Sequence, residues 1–408
     1  MLMEVKKKQK KWVKFRHKVV TVILYIVLAP YIYLKYGIHV DRFREKTKRN
    51  YLILLNHQTP FDQFFVGMSF DRPLYYLATE DIFSMGWISS AIRWLIAPIP
   101  IKKQTTDIQA VMNCLRVVRD GGSVVIAPEG NRTYSGRTLY MNPAISGLAR
   151  KMKLPLLLYR IEGGYGVEPR WTDATRRGKM RAGVSRVIEP EEYEKLTNEE
   201  LFELIRTGLY VDEAAVTGLY RSNKRAEYLE RAIYVCPECG LAEFESTGNE
   251  IRCKKCGMVV TYGEDKTLSC EGQPFRFPFV AQWYDFQEEF INNLMVTNYT
   301  EVPLFCDSAR FSEVIVYERK KLIKKEATFS LYGDKIVVDE GTADELWFLF
   351  DDLHAVTVLG RNKLNIYYGK RVYQLKGGKR FNALKYVHIF HRYNNIQKGD
   401  NTVRFLGL

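Results

Sequence analysis

Short apolar runs bounded by turn residues mark out the first half of this chain. Residues 51–55, 123–127 and 153–159 each read as a buried strand, the last entered through Pro155. An uncharged run from 19 to 34, 16 residues long and interrupted by Pro30, precedes them and reads as a helix. The pattern changes past 225, where cysteines come in pairs. It changes again near 305, where short alternating runs at 311–317, 327–331, 335–338, 345–350, 353–359, 363–368 and 371–375 predict seven strands. An amphipathic helix follows over 380–392. These shifts divide the chain into a basic N-terminus with an apolar helix (1–45), an α/β domain (46–225), a cysteine module (226–265), a linker or helical segment (266–304) and a small mainly-β domain (305–400).

Charge changes the picture at the N-terminus. The formal net charge is +14 and the pI about 9.2, which suits an anionic partner. Lys6, Lys7, Lys8, Lys10, Lys11, Lys14, Arg16 and Lys18 precede the apolar run. Lys35 closes it, and Arg42, Arg44, Lys46, Lys48 and Arg49 follow soon after. A run of 16 is short of the ~20 residues a spanning helix needs. Basic flanks on both sides give no asymmetry to set a crossing. The expectation is a monotopic or re-entrant anchor on the cytoplasmic face of a membrane, at an anionic surface, with a buried core helix as the alternative. An anionic lipid partner is favoured over nucleic acid.

The candidate chemistry sits just after two of the strands. Residues 56–62 read Asn-His-Gln-Thr-Pro-Phe-Asp and residues 127–133 read Ala-Pro-Glu-Gly-Asn-Arg-Thr. A neutral imidazole at His57 can accept a hydroxyl proton near pH 7, and Asp62 can fix its tautomer if the chain turns back. Pro60 stiffens that turn, and Asp62 suits the start of a helix. Glu129-Gly130-x-Arg132 adds a turn with a cation for an anionic ligand. There is no Gly-x-Ser-x-Gly elbow, Walker A sequence or Gly-x-Gly-x-x-Gly, and the Gly163-Gly164-Tyr165-Gly166 cluster reads as a loop.

Four blocks occur in order: His-x4-Asp at 57–62, a basic block at 99–103, Pro-Glu-Gly-x-Arg at 128–132, and a Pro-containing apolar strand at 153–159. In these the chain resembles the glycerol-3-phosphate and lysophosphatidic acid acyltransferase superfamily, over residues 20–215. The resemblance implies that His57 is the general base and Asp62 its orienting partner. It implies that Glu129, Gly130 and Arg132 bind the acyl acceptor, with Arg132 on its phosphate. Lys102 and Lys103 stand where the family usually has Asp-Arg, so a point charge replaces a bidentate fork there. Ala127 replaces a usual aromatic residue and Asn131 a common Thr. The acceptor hydroxyl is expected to attack the thioester directly, with acyl-CoA or acyl-carrier protein as co-substrate. Phe64, Phe65, Met68, Phe83, Met85, Trp87, Ile92, Trp94, Leu95 and Ile96 are candidates to line an acyl channel.

Cys236-x2-Cys239 and Cys253-x2-Cys256 are two knuckles separated by 13 residues, each followed by a glycine. Thiolates at this spacing can share one tetrahedral metal, and the module looks like a zinc ribbon holding structural zinc. Two disulfides or a rubredoxin-like iron site are the alternatives. Cys114, Cys270 and Cys306 fall outside the pattern. The seven strands and closing helix look like a pleckstrin-homology or GRAM-type module, in which Lys370, Arg371, Lys376, Lys379 and Arg380 are candidates to face lipid.

The expected molecule is an α/β acyltransferase domain with an N-terminal membrane-associated helix, followed by a four-Cys zinc ribbon and a small PH/GRAM-like β domain. Its expected reaction is acylation of a lysophospholipid, 1-acyl-glycerol-3-phosphate to phosphatidic acid. The alternatives are acylation of glycerol-3-phosphate or another lipid-linked hydroxyl, or a non-catalytic scaffold acting through the ribbon and the β domain.

Overall fold

The computed structural model describes residues 11–45, 49–101, 107–315, 318, 320–399 and 405–407. The first half is built on a seven-stranded sheet. Its strands are β1 (Ile38–Val40), β2 (Leu52–Leu55), β3 (Leu74–Thr79), β4 (Ile99–Ile101), β5 (Ser123–Ile126), β6 (Leu156–Glu162) and β7 (Met180–Ile188). The spatial order is β1-β7-β6-β2-β5-β3-β4, parallel throughout except where β7 runs against β6. The three apolar runs read from the sequence are β2, β5 and β6, side by side at the centre. They are continuous rather than alternating because parallel strands are covered on both faces.

Alternate residues of those strands supply two separate cores. Ile53, Leu55, Val125, Leu157 and Tyr159 face one side, with Ile32 and Tyr36 of α1 (Phe15–Tyr36) and Phe65 and Val66 of α2 (Asp62–Ser69). Leu52, Leu54, Val124, Ile126 and Leu158 face the other. There they meet Cys114 and Val117 of α4 (Ile108–Arg119) and Ile145 and Ala149 of α5 (Ala144–Met152). A further helix, α3 (Trp87–Ile96), packs beside α1, with the Arg16 guanidinium 4.9 Å from the Trp94 ring centroid.

The second half is antiparallel. Strands within 244–274 make a five-stranded sheet, and strands within 305–377 make a seven-stranded one. In chain order along the latter sheet, its first four strands run outward from the first and its last three fold back beside it. The helix Leu384–Gln397 closes it. Strands stand near all seven expected places; the first is displaced toward the N-terminus, at Phe305–Glu313 against the expected 311–317, and the second is longer, at Lys321–Leu331. One continuous apolar core joins the cysteine module, the helix Val280–Asn293 and the large antiparallel sheet. That core also takes in Tyr134 and Trp171 from the first half, so the two halves are packed together.

Candidate active site

Strands β2 and β5 are neighbours in register, Leu54 opposite Ile126, so the loops at their carboxyl ends emerge together. The loop after β2 carries His57 and the loop after β5 carries Glu129, Gly130 and Arg132. The two loops are tied by Thr133 N–H donating to the His57 carbonyl at 3.3 Å. Asn56 locks the first loop to β6 by exchanging two hydrogen bonds of 2.8 Å with the backbone of Ile161.

Asp62 is the first residue of α2 and is buried. Its Oδ2 lies 2.7 Å from His57 Nδ1 and accepts the Gln58 N–H at 2.7 Å, while Oδ1 accepts the Thr59 N–H at 2.9 Å and the Thr59 hydroxyl at 2.6 Å. The chain from 57 to 61 thus wraps its own carboxylate. With Nδ1 committed to Asp62, Nε2 is the ring nitrogen free to accept a proton. The imidazole keeps 27% of its side-chain surface exposed, so the ring is reachable from the cavity while Asp62 stays buried.

Glu129 spends both oxygens on backbone. Oε1 accepts the His57 N–H at 2.8 Å and Oε2 the Leu139 N–H at 2.6 Å. Burial pushes its carboxyl up to about 8, against the pull of those two donors. Its place is that of a brace between the two motif loops. Gly130 has φ +67° with open space where a Cβ would lie, so the turn needs glycine for its backbone conformation and not for room. Arg132 differs from both. It is buried, lines the cavity, and its Nη1 has no hydrogen-bond partner. Burial, then the neighbouring Arg170 and Arg361, pull its pKa down to about 10. A buried cation left short of a partner is costly, and a bound anion would relieve it. Lys102 and Lys103 lie outside the described residues.

His57, Asp62, Glu129 and Arg132 line a cavity of 1840 Å³. One arm is apolar, running past Leu28 and Ile32 of α1, Phe64 and Met68 of α2, and Ile92 and Ile96 of α3. Four of the ten proposed acyl-channel residues therefore line it. Phe65 and Phe83 are core, while Met85, Trp87, Trp94 and Leu95 face outward instead, with Trp87 72% exposed. The reason is helix geometry: α3 has one face toward the cavity, and 87, 94 and 95 fall on another. The far wall comes from the second half of the chain, with Tyr284, Leu353, Phe390 and Phe405, the last with its ring tilted against Tyr140 at 4.7 Å between centroids.

The sequence reading missed Glu168, Arg170 and Arg361. Glu168 is buried and takes Arg361 at 2.5 Å, Lys35 at 3.5 Å and the Tyr36 hydroxyl. Arg170 is buried and, among the described residues, bonded only to neutral oxygens: the Arg132 carbonyl at 2.9 Å, the Gly360 carbonyl at 3.2 Å, Asn131 Oδ1 at 3.3 Å and the Val358 carbonyl at 3.4 Å. Its guanidinium also stacks 4.3 Å from the Tyr134 ring centroid. The only signal available beforehand was the glycine cluster at 163–166 that introduces this segment.

The four knuckle cysteines bring their sulfurs within 4.8 Å of one another, with Cys236–Cys256 and Cys239–Cys253 at 3.6 Å. A tetrahedral zinc with Zn–S near 2.3 Å sets its sulfurs about 3.8 Å apart, so the donor set fits such an ion. Gly240 (φ +77°) and Gly257 (φ +82°) turn the chain after each pair, and the Glu238 N–H donates to Cys236 Sγ at 3.4 Å. Of the basic residues expected at a lipid face in the β domain, Arg380 pairs with the buried Glu230 at 2.5 Å while its own side chain stays exposed.

Residues 38–160, from β1 into β6, match the family model described as Acyltransferase. The matched stretch includes His57, Asp62, Glu129 and Arg132 and stops short of Glu168, Arg170 and Arg361. No curated protein matches the chain. Among solved structures, the chain is similar to the 1-acyl-sn-glycerophosphate (LPA) acyltransferase PlsC from Thermotoga maritima. The identity is 20% and the TM-score 0.40, covering 48% of this chain and 78% of that one.

Proposed function

We propose that this protein is a membrane-surface O-acyltransferase that moves a fatty acyl group from acyl-CoA or acyl-carrier protein to the free hydroxyl of a lysophospholipid. The preferred acceptor in this reading is 1-acyl-glycerol-3-phosphate, giving phosphatidic acid. The observation that carries it is the pairing, in one cavity, of a Nδ1-anchored His57 with the buried, underpartnered Arg132. His57 Nε2 takes the proton of the acceptor hydroxyl as its oxygen attacks the thioester carbonyl. Asp62 stabilises the imidazolium. The tetrahedral intermediate collapses by breaking the C–S bond, and the imidazolium returns its proton to the thiolate. Arg132 holds the acceptor's phosphate, and the apolar arm takes acyl chain. Glu129 and Gly130 contribute by shaping the turn that presents Arg132.

Exposed apolar side chains on two adjacent helices support a monotopic seat. α1 runs 22 residues rather than the 16 of the uncharged run and is by length and composition apolar enough to cross a membrane; Val22, Ile26, Val27 and Leu34 are exposed on it, and its most apolar window is only 17% buried in the protein. In α3, Trp87 and Trp94 are exposed. Both helices border the apolar arm of the cavity, so lipid could enter from the same side. In this reading the cysteine cluster holds structural zinc, and the strand order with its closing helix supports a pleckstrin-homology or GRAM-type module.

The test is purified protein, labelled acyl-CoA and acyl-carrier protein, and a vesicle-borne panel of lysolipids read by mass spectrometry. The expected product is phosphatidic acid from 1-acyl-glycerol-3-phosphate. Transfer to none of the acceptors overturns the reading.

A further inference from the structure

The acceptor end of the cavity is held from outside the acyltransferase domain. The hairpin turn between strands Leu353–Leu359 and Lys363–Tyr368 of the β domain reaches across to the loop that follows β6. There the Val358 and Gly360 carbonyls take Arg170, and Arg361 reaches Glu168 at 2.5 Å and Asp173 at 3.5 Å. Arg170 passes the connection on, gripping the motif turn at the Arg132 carbonyl and the Asn131 side chain. An unbroken chain of contacts therefore runs from the β domain to the residue read here as the phosphate ligand. The cysteine module braces the same loop from behind. Arg231 binds the Trp171 carbonyl at 2.8 Å and Asp173 at 2.7 Å, and the Trp171 and Tyr262 rings meet edge-on at 5.9 Å.

The charges along this chain do not balance. The cations Arg132, Arg170, Arg361 and Lys35 have two carboxylates among them: buried Glu168, which three donors already share, and Asp173, which Arg361 shares with Arg231. Among the described residues, Arg170 has no carboxylate partner, and Arg132 Nη1 and the buried Arg361 Nε have no hydrogen-bond partner. Asp62 is committed to His57 and to its own loop. Groups that withdraw a cation from water without a counter-ion cost free energy that a ligand of opposite charge returns. The deficit exceeds a single negative charge, which matches a phosphomonoester dianion better than a phosphodiester monoanion.

We propose that the β domain is a built part of the acceptor site: Arg361 and Arg170 are positioning residues that hold Arg132 and set its preference for a phosphomonoester head group. This rests on the proposed reaction for its substrate and extends it to residues beyond the acyltransferase domain. A β domain that only tethers the enzyme to membrane predicts no effect of Arg361 on acceptor choice.

The experiment uses the full chain, with R361Q and R361K, on vesicles containing either 1-acyl-glycerol-3-phosphate or a lysophospholipid with a phosphodiester head group. The expected result for R361Q is a KM for the phosphomonoester raised about ten-fold, with KM for acyl-CoA and for the phosphodiester acceptor within about two-fold of wild type. R361K should recover most of the loss. Equal losses on both acceptors, or none, overturn the proposal while leaving the acyltransferase reading standing. If wild type acylates nothing, that reading fails, and inorganic phosphate alone decides the proposal. Phosphate should then raise the melting temperature of wild type and not of R361Q. Equal stabilisation of the two overturns it. R361M, which also removes the charge but keeps an apolar stem, carries the same melting test if R361Q lacks a native transition.

Discussion

The two ends of the polar site are built in opposite ways. At the base end, His57 and Asp62 are five positions apart, and the intervening backbone amides fold onto the carboxylate. At the anion end, Arg132, Arg170 and Arg361 come from three distant segments, and each is placed by the others through backbone carbonyls and Glu168. A local constellation survives small movements of the rest of the molecule because its geometry is set within one turn. An assembled one depends on domain packing, so stability and specificity are coupled there.

The largest effect that separates the two ends comes from the cysteine cluster. One zinc per chain is expected by elemental analysis. Replacing Cys239 by Ser should remove it, at a cost of ~10 kcal/mol or more of binding free energy, and melt the module that braces the 163–176 loop. Because that loop carries Glu168 and Arg170, partial chelation should raise the acceptor KM before it lowers kcat. Protein purified without chelators and found free of metal, or holding iron, refutes the zinc assignment.

Next in size is His57→Ala, which should cut kcat by ~10² to 10⁴ while melting temperature and vesicle binding stay near wild type. Retention of most activity would remove the base end from the mechanism altogether.

Arg132→Ala should lower kcat/KM for a phosphorylated acceptor by about ten- to a hundred-fold, with little change in KM for the acyl donor. Arg132→Lys should recover part of this, since the charge remains and the fork is lost. Equal damage toward a phosphate-free acceptor would show that Arg132 only braces its turn.

The smallest effect joins the two ends. Glu129 holds the His57 and Leu139 amides with a carboxyl pushed up to about 8 by burial. Its folded pKa is raised above the unfolded value, so the folded state keeps the proton longer. This contribution is fully present below pH ~4.5 and is lost as pH rises toward about 8. Glu129→Gln should flatten that part of the stability profile. It should also cost ~1–3 kcal/mol, because the amide nitrogen faces a backbone donor. An unchanged pH profile in chemical denaturation contradicts this account of the carboxyl.

The central strands were legible because burial on both faces demands continuous apolar runs, and β2, β5 and β6 are short, bounded examples. The seven C-terminal strands were legible from alternation and turns. His57 and Asp62 were legible because a dyad closed within one turn has a spacing to recognise. Glu129 was found by resemblance, and its hold on the His57 and Leu139 amides came into view only once the neighbouring loop was in place. The facing of Trp87, Trp94 and Leu95 away from the cavity could not be read either, since an apolar helix face has the same composition whether it meets core, channel or lipid.

By itself, then, the sequence determined everything whose physics is local: strand runs, the base and its carboxylate, and thiols paired closely enough to share a metal. Only the tertiary structure decided the anion end. Arg170 sits 38 residues from Arg132, and Arg361 is 193 from Glu168. Contacts at such separations leave no periodicity in the chain. They form only when the β domain and the cysteine module share one core and close on the same loop, where low dielectric strengthens the interactions among the gathered cations and Glu168.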